Sequence, residues 1–228
     1  MRDPDLLVRL NQGRSHAYGI PNGGWGGQFR PKLKCDASGN NCLSGQSLPP
    51  CPTGPAPYVG CQPPAESKIE FHFPFPGEPV QLPFFDISLV DGYTLKSRIT
   101  PNVAASGNCT DFTCGVSFDS CPSNESFGLG DLRVMRNGSV VMCLSPCKRW
   151  NFPAPYGLGR PETDGIGREL CCAGGISSKD CNAGRLVQTK YVQTLRANCP
   201  SAYSFAYDDL GGTHACPLQT NFTVTFCP

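Results

Sequence analysis

The stretch Phe84-Phe85-Asp86-Ile87-Ser88-Leu89-Val90-Asp91-Gly92-Tyr93 decides how this chain is read. Phe85, Ile87 and Leu89 alternate with Asp86 and Ser88, the period of two that sends one strand face to a core and the other to water. Asp91-Gly92 then ends the pattern, because glycine adopts turn conformations that a Cβ disfavours and aspartate bonds to its own turn backbone. A strand is expected over residues 84–90. Working outward, Ile69, Phe71 and Phe73 alternate with Glu70 and His72, so residues 69–73 are expected to form a strand as well. Downstream, residues 131–135 and 139–143 flank Asn137-Gly138, a hairpin signal. Residues 221–226 place Phe222, Val224 and Phe226 on one side. The best helix candidate is 190–197, and a cysteine-rich stretch lies between Cys143 and Cys199. From Met1 to Pro64 the chain reads as loop, interrupted by Gly23-Gly24, Gly26-Gly27 and Pro49-Pro50.

Composition sets the class. Of 228 residues, 39% are apolar, enough for a core, and only 16% are charged, with a formal net charge of +1. Sequence-independent nucleic-acid binding needs a dense basic surface, and this chain has no basic excess. No apolar run is long enough to span a bilayer. The 26 glycines and 23 prolines interrupt helices and supply turns, which favours many short strands joined by loops. Fifteen cysteines point to an oxidising, extracellular compartment and a disulfide framework. No two C-x2-C pairs face each other as a structural zinc site requires, so no metal and no other cofactor is expected. Sequons begin at Asn108, Asn124, Asn137 and Asn221, in agreement with a secreted glycoprotein. Met1 is followed by Arg2, Asp3 and Asp5 instead of an apolar signal core, so a trimmed signal or an incomplete N-terminus is expected.

Three strings together resemble the thaumatin-like protein family (pathogenesis-related family 5). They are residues 84–93, the stretch Cys199-Pro200-Ser201-Ala202-Tyr203-Ser204-Phe205-Ala206-Tyr207-Asp208-Asp209, and the ending Val224-Thr225-Phe226-Cys227-Pro228. The cysteines from Cys109 to Cys227 follow the family's order, and the likeness covers about residues 19–228. It implies a mostly β fold, a flattened β-sandwich of about eleven strands. It also implies a single domain over residues 1–228 that contains a disulfide-rich loop and short-helix region over 109–199. The implied bridges are Cys35–Cys42, Cys51–Cys61, Cys109–Cys216, Cys114–Cys199, Cys121–Cys143, Cys147–Cys171 and Cys172–Cys181. The stretch before Cys51 departs from the family, reading Gly45-Gln46-Ser47. The family ties its last cysteine to an N-terminal strand, and no cysteine precedes Cys35 here, so Cys227 is expected to be unpaired.

The same resemblance implies an acidic cleft between the sandwich and the disulfide-rich region, lined by Glu70, Asp86, Asp91 and Asp208. The family's cleft arginine falls at Gln28 by counting from Cys35, with Arg30 two residues away. Periodicity independently turns Glu70 and Asp86 away from the apolar face of their strands. Asp91 reaches the same place only through the Asp91-Gly92 turn, and turn formation alone also accounts for it. Asp208-Asp209 equally fits a solvated loop. Carboxylates accept hydrogen bonds from sugar hydroxyls, and Phe84, Tyr93, Tyr203 and Phe205 could offer aromatic faces if they do not pack in the core.

The family is associated with β-1,3-glucan binding and antifungal defence. The expected function is therefore a secreted monomer that binds β-glucan or a related wall polysaccharide. Inhibition of a secreted hydrolase through loops 46–64 and 151–159 is a second reading. Weak endo-β-1,3-glucanase activity is the third, with Glu70 as proton donor and Asp86 or Asp91 as its partner. His16, His72 and His214 lack metal spacing, and no nucleophile elbow or P-loop appears.

Overall fold

Aromatic and β-branched residues in alternation build two facing sheets. The computed structural model describes residues 7–20, 23–49, 62–107 and 109–228, apart from the side chain of Leu210. Among these, nine strands form: β1 Trp25–Phe29, β2 Lys68–Phe73, β3 Phe84–Ser88, β4 Ser97–Pro101, β5 Phe112–Cys114, β6 Arg133–Arg136, β7 Ser139–Cys143, β8 His214–Ala215 and β9 Phe222–Phe226. A four-stranded sheet runs β1-β2-β3-β8, a three-stranded sheet runs β5-β4-β9, and β6-β7 is a separate hairpin. All strand pairs are antiparallel. The count is below the eleven implied by the resemblance, within the described residues.

The two larger sheets meet through rings. Phe222 of β9 lies 5.2 Å from Phe71 and 5.0 Å from Phe85, and Phe112 of β5 stacks on His214 of β8 at 4.6 Å. Ile69, Ile87 and Ile99 fill the space between, each at most 1% exposed. Aromatic pairs at such distances add to the area they bury, which suits a thin core.

Some boundaries differ from expectation. β1 lies in a glycine-rich stretch whose local pattern suggests loop. Pairing supplies what propensity lacks: Trp25 sits opposite Phe73 and Phe29 opposite Ile69. Gly27 is needed there, since a Cβ would run into the Trp25 indole. β3 stops two residues early because Leu89 donates to Tyr203 O (2.8 Å) while Tyr203 donates to Ile87 O (3.0 Å), so a loop takes over as partner. The strand expected over 131–135 occupies Arg133–Arg136, the one expected over 221–226 begins at Phe222, and the helix extends to Asn198.

Four short helices fill the cysteine-rich stretch, α1 Pro146–Asn151, α2 Gly167–Cys171, α3 Ser178–Ala183 and α4 Lys190–Asn198; a fifth, α5 Asp209–Gly212, follows it. Ser145 caps α1 by accepting from Lys148 N at 3.2 Å, with Pro146 in the first turn. At α4 the buried Glu125 accepts from both Lys190 N (3.0 Å) and Tyr191 N (2.8 Å), where a helix leaves its amides unpaired. Among the described residues six bridges join Cys35–Cys42, Cys109–Cys216, Cys114–Cys199, Cys121–Cys143, Cys147–Cys171 and Cys172–Cys181. Cys227 is free and exposed. The expected Cys51–Cys61 bridge and the sequon asparagine Asn108 lie outside the described residues.

The Asp91-Gly92 turn is held by close packing. Gly92 has φ +100°, and a Cβ there would strike the Cys143 carbonyl oxygen and the Ala65 methyl. Gly92→Ala is expected to lower stability by about 1–3 kcal/mol, read as a shifted denaturation midpoint. An unchanged midpoint would show that the turn can readjust around a side chain.

Candidate ligand-binding cleft

Register brings two carboxylates face to face. Glu70 of β2 pairs with Asp86 of β3, and Gln28 of β1 pairs with Glu70 on its other side. Directly opposed residues hold their Cβ atoms about 4.5–5.5 Å apart, so the three form one row on the face away from the aromatic core. With its amide oriented to suit its neighbours, Gln28 Nε2 donates to Glu70 Oε1 at 2.9 Å and Gln28 Oε1 accepts from Arg30 Nη2 at 2.6 Å. Both candidates for the arginine position therefore take part. Gln28 contacts Glu70, and Arg30 supports Gln28 while lying 3.5 Å from Glu66.

Asp86 is the perturbed member. Burial, and after it the neighbouring negative Glu70, push its carboxyl up to about 8, against a weaker opposing pull from Lys68. Its Oδ1 is buried without a hydrogen-bond partner. A neutral acid is thus favoured at Asp86, whereas the sequence reading has Glu70 as the proton donor.

Asp91 occupies a different environment. Lys68, two residues before Glu70 on the same strand face, forms an ion pair with its Oδ2, and Lys148 of α1 lies 3.4 Å from its Oδ1. Burial would raise the Asp91 carboxyl, but Lys148 and then Lys68 outweigh it and hold the group below the usual range. Burial likewise opposes the Lys68 charge, and Asp91 with Glu66 and Glu70 restores it and lifts its pKa. Glu66, 4% exposed, is raised mainly by burial despite Arg30 and Lys68. The charged cluster is consequently of mixed sign: Arg30, Lys68 and Lys148 stand among Glu66, Glu70, Asp86 and Asp91.

Asp208 is held by Arg196 and by the backbone of Ser204. Its Oδ1 accepts from Arg196 Nη2 at 3.2 Å and its Oδ2 from Ser204 N at 3.1 Å. Ser204, Phe205 and Ala206 line a cavity of about 250 Å³ together with Asp91, Lys148 and α1, whereas Asp208 does not line it. A wider recess of about 620 Å³ continues past Lys148, Gln62, Asn151 and Glu162 to Arg160. Lys148 Nζ donates to Gln62 Oε1 at 2.9 Å at the junction of the two.

Of the aromatic candidates, Tyr93 and Phe205 are core residues, 3% and 1% exposed. Tyr203 bonds through its hydroxyl to Asp209 Oδ1 and Thr213 Oγ1, and Phe84 is half-buried. Cys147, Glu162 and Cys171 bring possible ligand atoms together, but the two sulfurs are joined in a bridge and cannot bind a metal as thiolates. Lys68 was detectable from sequence, because strand period puts it beside Glu70. Lys148 was not, since its approach to Asp91 depends on how α1 docks against the sandwich. Among the described residues no helix is long and apolar enough to cross a membrane.

Comparison with known proteins agrees with this architecture. A profile of the Thaumatin family matches residues 4–228. The chain is 32% identical to a protein of Prunus avium named glucan endo-1,3-beta-glucosidase, over 90% of this chain and 72% of that one. It is 31% identical to thaumatin-like protein 2 of Prunus persica, over 90% and 73% of the two chains. Pathogenesis-related protein 5 of Arabidopsis thaliana is 32% identical over 96% of this chain and 77% of its own. With the facing sheets, the bridges and the profile match in agreement, this chain belongs to the thaumatin family.

Proposed function

We propose that the protein is a secreted, pathogenesis-related type of thaumatin-like protein that binds β-1,3-glucan or a related wall polysaccharide at the Gln28–Glu70–Asp86 row. The observation that carries this reading is the opposed carboxyl pair, in which the buried Oδ1 of Asp86 lacks a partner and burial with the neighbouring Glu70 favours its protonated form. Such a pair offers a sugar both kinds of partner: Glu70 accepts from one hydroxyl while neutral Asp86 donates to another oxygen. Lys68 and Lys148 offset the remaining carboxylates, so the cluster suits an uncharged polyol, and retention should depend little on salt. Disulfide content and the pathogenesis-related relatives support a secretory route.

The test is sedimentation with insoluble β-1,3-glucan. Retention of Glu70→Ala/Asp86→Ala is expected to fall roughly tenfold or more, the loss of about two ligand hydrogen bonds, with circular dichroism unchanged. Equal retention of both proteins, or of neither, would move the function away from this row.

A second reading, weak endo-β-1,3-glucanase activity, is favoured by the Asp86 proton and by the name of the Prunus avium relative. Asp86 would protonate the glycosidic oxygen, and Glu70 would act on the opposite side of the bond as base or nucleophile. Release of reducing ends from soluble glucan, lost in Asp86→Asn while retention persists, would separate catalysis from binding.

A further inference from the structure

The sheet face that carries Gln28, Glu70 and Asp86 continues into a second row. Two residues along each strand, Gly26 of β1 pairs with His72 of β2, and His72 pairs with Phe84 of β3. Alternation turns these residues to the same side as the carboxyls, since Phe85, between Phe84 and Asp86, is the one that enters the core. Two residues of strand span about 6.6 Å, so the second row lies directly beside the first. Packing absorbs none of the three. Gly26 is exposed, the His72 side chain is 42% exposed, and Phe84 is half-buried and outside the core cluster.

His72 gives this row a polar group of defined sense. Its Nε2 lies 2.8 Å from Glu78 Oε2. That contact holds the Glu78 carboxyl below its usual range, and an ionised carboxylate only accepts, so Nε2 carries the hydrogen. In neutral His72 the lone pair is then left on Nδ1, which makes no hydrogen bond among the described residues. Nδ1 stands over Gly26, 3.6 Å from where a Cβ on that residue would lie. Glu78 is itself fixed, because Gln81 Nε2 donates to Glu78 O at 2.8 Å and to Phe75 O at 3.2 Å. Phe75 backs the His72 ring at 5.9 Å. The loop between β2 and β3 thus holds an acceptor above a glycine floor, beside an aromatic side chain.

We propose that Gly26, His72 and Phe84 form a second sugar subsite, which takes the residue of a β-glucan chain next to the one on the Gln28–Glu70–Asp86 row. The inference rests on the reading above and adds the direction of the chain, which runs along β2 and β3 across the two rows. β-Linked glucose carries its ring hydroxyls at the rim and leaves an apolar C–H face, which stacks on the Phe84 ring. One hydroxyl donates to His72 Nδ1, and the absence of a side chain at Gly26 leaves the space in which the sugar sits. Glu78 is a positioning residue that acts through the His72 tautomer.

The test is calorimetric titration of the full chain with glucose and with β-1,3-linked glucose oligomers of two to six residues. Affinity is expected to rise from glucose to the short oligomers as the second row fills. Gly26→Val and Phe84→Leu should weaken oligomer binding roughly fivefold to tenfold and flatten that rise. Valine suits a strand, and a Cβ at Gly26 would meet only His72 Nδ1 at an ordinary contact distance, so the melting temperature of Gly26→Val should match the wild type. Glu78→Gln, whose amide can donate to Nε2, should weaken the oligomers roughly threefold. Nitrogen NMR of that variant should show the His72 hydrogen moved from Nε2 to Nδ1, a change that a purely structural role would not produce. Glu70→Ala/Asp86→Ala is the reference. Loss of the oligomers in that variant, with Gly26→Val and Phe84→Leu binding like the wild type, would overturn the second subsite and leave the row reading standing. An affinity that does not rise with oligomer length would overturn it too, and an unchanged His72 tautomer would overturn the role of Glu78. A wild type that binds no oligomer, or a reference variant that binds as well as the wild type, would overturn the row reading and the inference with it.

Discussion

Asp86→Asn is expected to lose less stability than the wild type as pH rises from about 4 to about 8. An unfolded aspartate titrates near pH 4, whereas in the fold burial and Glu70 hold Asp86 protonated until about 8. Between those values the folded state binds more protons than the unfolded chain, so raising the pH favours unfolding. The stabilisation is fully present below the unfolded pKa and is lost as pH rises through the folded one. A shift of this size corresponds to something on the order of 5 kcal/mol across the range. Asparagine keeps the shape without the titration, so the difference between the two melting profiles isolates this carboxyl from Glu66, whose shift has the same direction. Parallel profiles would mean that Asp86 is solvated and ordinary. The same proton links stability to binding: glucan retention by the wild type should decline as pH passes about 8, because ionised Asp86 can no longer donate.

Removal of the Cys109–Cys216 bridge is expected to cost roughly 4–5 kcal/mol, among the largest losses available from one bridge in this chain. Its cysteines are 107 residues apart and join the segment just before β5 to the segment just after β8, so the bridge ties one sheet of the sandwich to the other. Closing a long loop removes the most freedom from the unfolded chain. Cys35–Cys42 spans only seven residues, and the corresponding double alanine variant should lose roughly half as much. Chemical denaturation of Cys109→Ala/Cys216→Ala beside Cys35→Ala/Cys42→Ala checks the order. Equal losses would show that local packing, and not loop closure, sets the contribution of each bridge. Reduced solubility of the first variant is also expected, because separated sheets expose the ring cluster of Phe71, Phe85 and Phe222.

The facing of the two opposed carboxyls was legible before folding was considered. Alternation along residues 84–90 turned Asp86 outward, alternation along 69–73 did the same for Glu70, and the structure keeps both off the aromatic face. Gly92 followed from the turn pair and is required by its positive φ. These features depend on neighbours in sequence, and sequence period records neighbours directly. β1 escaped notice for the opposite reason: Gly26 and Gly27 erase the local pattern, and only pairing with β2 makes the segment a strand.

Other properties of the site come from contacts between distant segments. Register alone sets Glu70 against Asp86, and Gln28 against Glu70. The docking of α1 brings Lys148 to Asp91 and turns a row of acids into a cluster of mixed sign. Enclosure assigns the proton to Asp86, because desolvation depends on everything packed around a carboxyl and not on the residues beside it in the chain. Sequence by itself thus determined the faces of the strands, the turn at Gly92 and the oxidising character of the framework. Tertiary structure decided which carboxyls oppose each other, which one is neutralised by lysine and which one keeps its proton, since each rests on pairing and burial across long separations.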